Sequence, residues 1–410
     1  MDNFFKSKFF STLAILVSLV ICVAAGYSWG WRESQATPHS VVITGVTNGV
    51  PQGVATSTDF SVFWQAWDLL SQNYLKYSDS TGEKRVQGAV RGLAGSMGDP
   101  YTTYFNPKES KDFQDSVQGK GFGGIGIEIG SRKGQLMVIA PLKGTPADKA
   151  GLRAGDYILR INATSTESLS VDQAVSLIRG KEGTDITLQM FRDGWDKPKD
   201  YKITRSTIEI PTLDLTMKDG GVAYIQLYSF NANASRLFYQ AALQAIRQGA
   251  KGVVLDLRNN PGGYLDSAVD IGGWFIPRGK IVVSEAGRSD SRGDLRANGT
   301  AALDKLPVVV LINKGSASAS EILAGALRDQ RSAKLVGEQS FGKGTVQEVF
   351  DLKDGSSIKI TIAHWVMPSG QILDSEGIKP DYDVPISDSD IQSNKDPQLE
   401  KAMEVIKGEM

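Results

Sequence analysis

The sequence predicts a multidomain chain of mixed α/β and β structure behind an N-terminal apolar helix. Three observations carry this. An apolar run opens the chain, and short strand-like runs alternate with glycine turns between about residues 113 and 207. From about residue 208, near-continuous apolar strands alternate with amphipathic helices, the pattern of a sheet covered on both faces. At 410 residues, with 41% hydrophobic and 22% charged positions, the chain is long enough for two or three buried cores.

Lys6 and Lys8 precede an apolar stretch from about Phe9 to Trp31, close to the length that spans a bilayer. Positive charge before the run predicts a cytoplasmic N-terminus and an exported remainder. Residues 1–31 are therefore expected to be a single-pass membrane anchor, with the folded part periplasmic or extracellular. The alternative is a signal peptide cleaved near Val23-Ala24-Ala25, leaving a secreted protein. A lipoprotein signal is excluded by bulky Ile21 before Cys22. Residues 32–58, rich in Ser, Thr, Gly, Val and Pro, read as a tether.

Residues 59–112 are expected to form a small helical region. Phe60, Phe63, Trp64, Trp67, Leu69 and Leu70 recur near helical spacing, and a second apolar segment runs from Val86 to Met97. The Trp64 and Trp67 rings are expected in a core, with a partner surface as the alternative.

Residues 113–207 are expected to form a β module. The glycine loop ending in Gly124-Ile125-Gly126-Ile127 leads to a strand at Leu136–Ala140 and a turn from Thr145 to Asp156. A strand at Tyr157–Asn162, a helix carrying Val171, Ala174, Val175 and Ile178, and strands near Ile186–Phe191 and Tyr201–Ile203 complete it. Arg179 closes that helix, either as a contact to the next domain or as a solvated charge.

Residues 208–386 are expected to be the α/β core. Strands fall at Val222–Leu227, Gly252–Arg258, Leu306–Ile312, Lys334–Val336, Val346–Phe350 and Ile358–Ala363. Helices fall at Ala234–Gln248, Ser267–Phe275 and Ser318–Asp329. Asp256 and Arg258 are expected to pair structurally. Residues 387–410 carry Leu399, Ala402, Met403 and Ile406 at helical spacing, an extension for the core or a second subunit.

Charge and composition exclude several functions. A net charge of -1 leaves no electrostatic footprint for nucleic acid. One cysteine rules out an intramolecular disulfide, and with only two histidines a structural metal site is not expected. The segment from Gly337 to Lys343 imitates a phosphate-binding loop, but Gly344 stands where Ser or Thr is needed and a strand follows.

Two motifs point to nucleophilic chemistry: Gly315-Ser-Ala-Ser-Ala-Ser-Glu-Ile322 and Ser340-Phe-Gly-Lys-Gly-Thr-Val-Gln347. The first puts serines at the mouth of a helix, whose free N–H groups and dipole favour developing negative charge. Helix capping is the competing role for Ser316, Ser318 and Ser320. The second sets Lys343 among apolar and glycine residues, where burial lowers a lysine pKa and makes a base of it. His39 lies in the tether and His364 on a strand, so an ordinary serine–histidine pair has few parts.

These motifs, with Leu257-Arg-Asn-Asn-Pro-Gly-Gly263 and the β module, resemble the carboxyl-terminal processing (tail-specific) serine proteases. The β module itself resembles a PDZ domain, inserted before an α/β core of the crotonase/ClpP-like type. The resemblance implies Ser318 as nucleophile, Lys343 as general base and Gln347 as its orienting residue. It implies oxyanion donors in the backbone N–H groups of Gly263 and Ala319, and a peptide-carboxylate loop at Gly124, Ile125, Gly126 and Ile127. It implies no metal and no organic cofactor. The expected partners are protein substrates with apolar C-terminal tails, the membrane, and an adaptor protein or a second copy of the chain. A non-catalytic PDZ scaffold and a thioester-processing enzyme are the alternatives.

Overall fold

A computed structural model describes residues 59–117, 122–132, 134–167, 169–208, 211–288, 293–373, 376–387, 389–390, 393 and 395–410. The expected anchor and tether, 1–58, lie outside the described residues. Among the described residues, no helix is long and apolar enough to cross a membrane.

The chain divides into two units, residues Met1–Asp79 and Ser80–Met410. In the first, helix α1 (Ser61–Asn73) is followed by a 3-10 turn at Tyr77–Asp79. None of the α1 residues is buried, so its aromatic stripe is not the core that its spacing suggests. Among the described residues its rings pack on one another, Phe63 edge-on to Trp64 at 5.0 Å.

The second unit opens with α2 (Gly82–Gly95), capped by Thr81, whose hydroxyl accepts from the Lys84 N–H. The region expected to be helical then makes a strand. The three residues of β1 (Thr103–Phe105) are all buried and pair antiparallel with Ser357–Lys359, far along the chain. Helix α3 (Pro107–Val117) follows.

The β module begins with β2 (Phe122–Gly124) and continues through β3 (Ile127–Arg132) and β4 (Gln135–Pro141). The short helix α4 (Pro146–Lys149) leads to β5 (Tyr157–Ile161), β6 (Thr164–Ser165) and α5 (Val171–Ile178). It closes with β7 (Asp185–Phe191), β8 (Lys199–Thr204) and β9 (Ser206–Ile208). One antiparallel sheet runs β3-β4-β5-β7-β8, with β3 at its edge, and β2 pairs with β9 where the chain enters and leaves. Alternate residues of β7 are buried, the mark of a sheet with one face on the core. A capping box of Ser170 and Gln173 starts α5. Buried Arg205 ends it by donating to the carbonyls of Ile178 and Leu177.

The α/β core holds a six-stranded sheet ordered β10 (Leu213–Lys218), β11 (Val222–Leu227), β12 (Gly252–Asp256), β15 (Val308–Ile312), β16 (Lys334–Gly337) and β19 (Tyr382–Asp383). All its pairings are parallel except that of β10 with β11. Every residue of β12 and β15 is buried, which explains their unbroken apolar runs. Helices α6 (Ala234–Arg247), α7 (Leu265–Gly272) and α8 (Ala319–Arg331) bury one cluster with the sheet. Helix α9 (Pro397–Glu409) supplies Ala402 and Ile406 to another cluster with Val254, Val309 and Leu311. The C-terminal extension therefore packs on the core. A second sheet runs β1, β18 (Ser357–Val366), β13 (Ile281–Gly287) and β14 (Gly293–Arg296), with β17 (Thr345–Asp351) also paired to β18. In the core, the strands β10, β13, β14 and β19 have no counterpart in the elements expected from the sequence.

Candidate active site

The C-terminal ends of β12 and β15 release two loops side by side, the usual place for a site on a parallel sheet. The first, Leu257–Gly263, is built around buried Asn260. Its amide donates to the Leu227 carbonyl and its side-chain oxygen accepts the Gly262 N–H. The second, Asn313–Ser318, is tied to the first through both outer serines. The Ser316 hydroxyl donates to the Leu257 carbonyl and the Ser320 hydroxyl to that of Asn260, each at 2.8 Å.

Ser316 and Ser320 are wholly buried, so they are structural. Ser318 is different. It holds the N-cap position of α8 at φ 53° and ψ -117°, whereas the N-caps Thr81 and Ser170 sit in extended backbone. A non-glycine residue there is strained, and the packed loops on either side hold it.

The glycine turn lies against it. A Cβ on Gly262 would stand 2.9 Å from the Ser318 Cβ and 3.0 Å from the Ala319 nitrogen, so only glycine admits this approach. The Gly263 bridge to Phe230 uses the Gly262 carbonyl and the Tyr264 N–H, leaving the Gly263 N–H outside that pairing. Ala319 begins α8, where the first N–H groups have no partner within the helix.

The lysine loop is fastened to the serine loop by one buried carboxylate. Glu321 accepts the Ser318 N–H at 2.9 Å, the Ser340 hydroxyl at 2.6 Å, the Gly342 N–H at 2.8 Å and the Lys343 N–H at 3.0 Å. Burial pushes its carboxyl pKa up, against the pull of these four donors. The Phe341 N–H adds a bond to the Ser316 carbonyl at 2.9 Å. Glu321 is a site residue the motif reading passed over. Its signal was present, since a glutamate three residues after an N-cap serine is the capping-box pattern.

Lys343 and Gln347 open into a cavity of about 750 Å³ that also carries Gly124, Ile125, Gly126, Ile127 and, from the α5 segment, Val171, Asp172, Val175, Ser176, Ile178 and Arg179. The peptide loop and the lysine thus share one cavity, while Ser318 is not among its lining residues. The Lys343 ammonium stands over the Tyr101 ring, 5.3 Å from its centre. Burial drives its pKa below the ordinary lysine range, partly offset by the Glu128 carboxylate. Burial pushes the Tyr101 phenol up to about 12.

Glu128 is raised by burial in turn, with Lys343, Lys359 and Arg179 opposing. Lys359 and Asp172 form a partly buried ion pair at 2.8 Å. Arg179 therefore faces this cavity and is not the solvated charge that was one alternative for it. The Gln347 amide nitrogen donates to the Thr345 hydroxyl at 2.7 Å and, more weakly, to the Thr361 hydroxyl at 3.5 Å. His364 is exposed on β18. Among the described residues, no cluster of potential ligands could hold a metal ion.

Comparison with known proteins supplies the family. The peptidase family S41 model matches residues 221–384 and a PDZ domain model residues 113–190. The model of the activating protease CtpB N-terminal domain matches residues 19–109. The carboxy-terminal processing protease CtpA of Bacillus subtilis is 35% identical over 355 residues, covering 86% of this chain and 75% of that protein. The carboxyl-terminal-processing protease of a Synechocystis species is 36% identical over 382 residues, covering 87% and 89%. This chain belongs to the carboxyl-terminal processing proteases of peptidase family S41. The photosystem II D1 C-terminal processing protease has the same fold, with a TM-score of 0.69 and 31% identity over 80% of this chain and 89% of that one. The protease is thus a serine peptidase whose PDZ domain precedes the S41 domain.

Proposed function

We propose that the protease cuts tail-bearing proteins with Ser318 as nucleophile and Lys343 as general base. The observation that carries this is the strained Ser318 at the mouth of α8, pressed against a turn that admits only glycine. The Ser318 hydroxyl attacks the scissile carbonyl and neutral Lys343 takes its proton. The Ala319 and Gly263 N–H groups receive the oxyanion. Lys343 then protonates the leaving amine, and water resolves the acyl-enzyme. Gln347 orients the lysine once its side-chain amine swings from Tyr101 toward Ser318, the backbone of the loop staying bound to Glu321.

Gly124, Ile125, Gly126 and Ile127 hold the terminal carboxylate of an apolar tail, which adds as a strand to the edge of β3. Because that loop and Lys343 share a cavity, tail binding shifts the enzyme from a closed to an open state. The domain division is 113–207 for the PDZ module and 208–386 for the peptidase, with 387–410 as an extension. Residues 1–31 anchor the chain with the catalytic part exported. Retention of membrane association after deletion of 1–31 would count against the anchor.

The deciding experiment is cleavage of a reporter protein ending in an apolar tail by the full chain and by Ser318→Ala and Lys343→Ala. Each variant is expected to lose about 10³-fold or more in kcat with its fold intact. Tail binding without cleavage in the unmodified protein would favour the scaffold alternative. Equal cutting of an internal-loop peptide with and without a tail ligand would remove the gating step.

A further inference from the structure

The lysine loop is held from three sides, and one of them is the PDZ sheet. The Arg132 guanidinium, at the end of β3, donates to the Phe341 carbonyl and lies over the Phe341 ring, 5.2 Å from its centre. Beneath that ring β3 carries Gly130, where a Cβ would come 2.5 Å from the Phe341 Cζ. The ring is 3% exposed and buried with Met137 and Ile139 of β4 and with Ala317, the residue before Ser318. On its other side, the Phe341 N–H is bound to Ser316, and the next two N–H groups are bound to Glu321. The segment Phe341–Lys343 is therefore clamped between the nucleophile loop and the strand that would receive a tail.

From this geometry we infer that Arg132 is a positioning residue for Lys343, acting through the Phe341 carbonyl and ring. The inference rests on the reading of Lys343 as the general base. Arg132 touches neither Ser318 nor the reacting carbonyl. It fixes the backbone two residues before the lysine, so a shift of the β3 edge is passed to the base by a rigid, buried joint. Arginine suits the role because its planar fork hydrogen-bonds a carbonyl while its face lies on an aromatic ring. Loosening the joint admits water to the lysine. The charged groups around the Lys343 ammonium are Glu128 of β3, Lys359 of β18, Asp172 of α5 and Glu321 of α8, all of which remain in an Arg132 variant. A hydrated lysine moves toward its ordinary pKa, and the rising limb of the pH–rate profile moves up with it.

The test uses the full chain and a reporter ending in an apolar tail, comparing Arg132→Ala, Arg132→Lys and Gly130→Ala with the unmodified protease. Rate is read as kcat and KM across pH, and tail-peptide affinity by fluorescence anisotropy. Arg132→Ala is expected to lower kcat about tenfold to hundredfold. Its KM and tail affinity should stay unchanged, and its rising limb should move to higher pH. Arg132→Lys, which keeps a donor for the carbonyl, should recover part of the rate. An unchanged kcat and pH limb in Arg132→Ala overturns the inference. So does a loss of tail affinity as large as the loss of rate, which would make Arg132 a residue of the PDZ fold. If Arg132→Ala fails to fold, Gly130→Ala decides, since it pushes the Phe341 ring with Arg132 in place. The same fall in kcat and shift in pH limb supports the joint, and their absence overturns it. Full activity in Lys343→Ala would instead overturn the base assignment, a result independent of the Arg132 comparison.

Discussion

The Arg258 guanidinium grips the Asp396 carboxylate through two parallel bonds of 2.7 and 2.8 Å, while it also holds Asp256 at 2.7 Å. Asp256 ends β12 and Asp396 caps α9, so one side chain ties the C-terminal helix to the strand that carries the glycine turn. Asp256 also accepts the Tyr224 hydroxyl at 2.7 Å.

Arg258→Ala is expected to destabilise the protease by about 3 kcal/mol, because it leaves the Asp256 carboxylate buried without its countercharge. The midpoint of denaturant unfolding reads this. A change within experimental error would show that the clamp is replaced by water.

Asp396 links the same clamp to pH. Burial works to raise its carboxyl, but Arg258 outweighs it and holds the pKa below the usual aspartate value. A depressed carboxyl contributes stability above its unfolded pKa, and this is lost as pH falls through the folded value. Asp396→Asn should therefore be less stable than the unmodified protein at neutral pH, with the difference shrinking in acid. Thermal unfolding between neutral pH and the acid side of the aspartate range measures it.

Lys343 shares that pH slope but opposes folding, because its charged form is penalised by burial. Its folded pKa lies below the ordinary lysine value, so between the two the unfolded chain binds more protons and stability rises with pH. Lys343→Met should be inactive yet more stable than the unmodified protease at neutral pH, the gain fading as pH approaches the ordinary lysine pKa. Melting temperatures at neutral and alkaline pH would show it, and an equal gain at both would point to packing rather than charge.

The two glycines of the turn should fail differently. A methyl at Gly262 meets Ser318 and the Ala319 nitrogen, so Gly262→Ala is expected to cost about 10²-fold in kcat by displacing the nucleophile. A methyl at Gly263 meets the Phe230 carbonyl at 2.4 Å, so Gly263→Ala should lower the yield of folded protein first. Kinetics and thermal unfolding of both variants separate the effects.

Glu321→Gln replaces an acceptor of four hydrogen bonds, two on each oxygen, by a group that must turn its NH2 toward two of the donors. A stability loss of about 2 kcal/mol is expected, with a fall in kcat larger than any change in KM. A variant that keeps full kcat would show that Glu321 only fills space.

Much of this architecture is legible in the sequence because its signals are local. The buried runs of β12 and β15, the capping box of α5 and the serine trio each depend on neighbours within a turn or two. What only the tertiary structure decided depends on residues far apart. Thr103 finds its strand partner at Lys359, Arg258 reaches Asp396, and Arg132 reaches Phe341. Periodicity carries no record of such pairings, which arise when separate layers close on one another. Among the three serines, the chain places all of them at one helix mouth by itself. Burial of Ser316 and Ser320 against the neighbouring loop, and the strained backbone of Ser318, exist only once that loop has packed beside it.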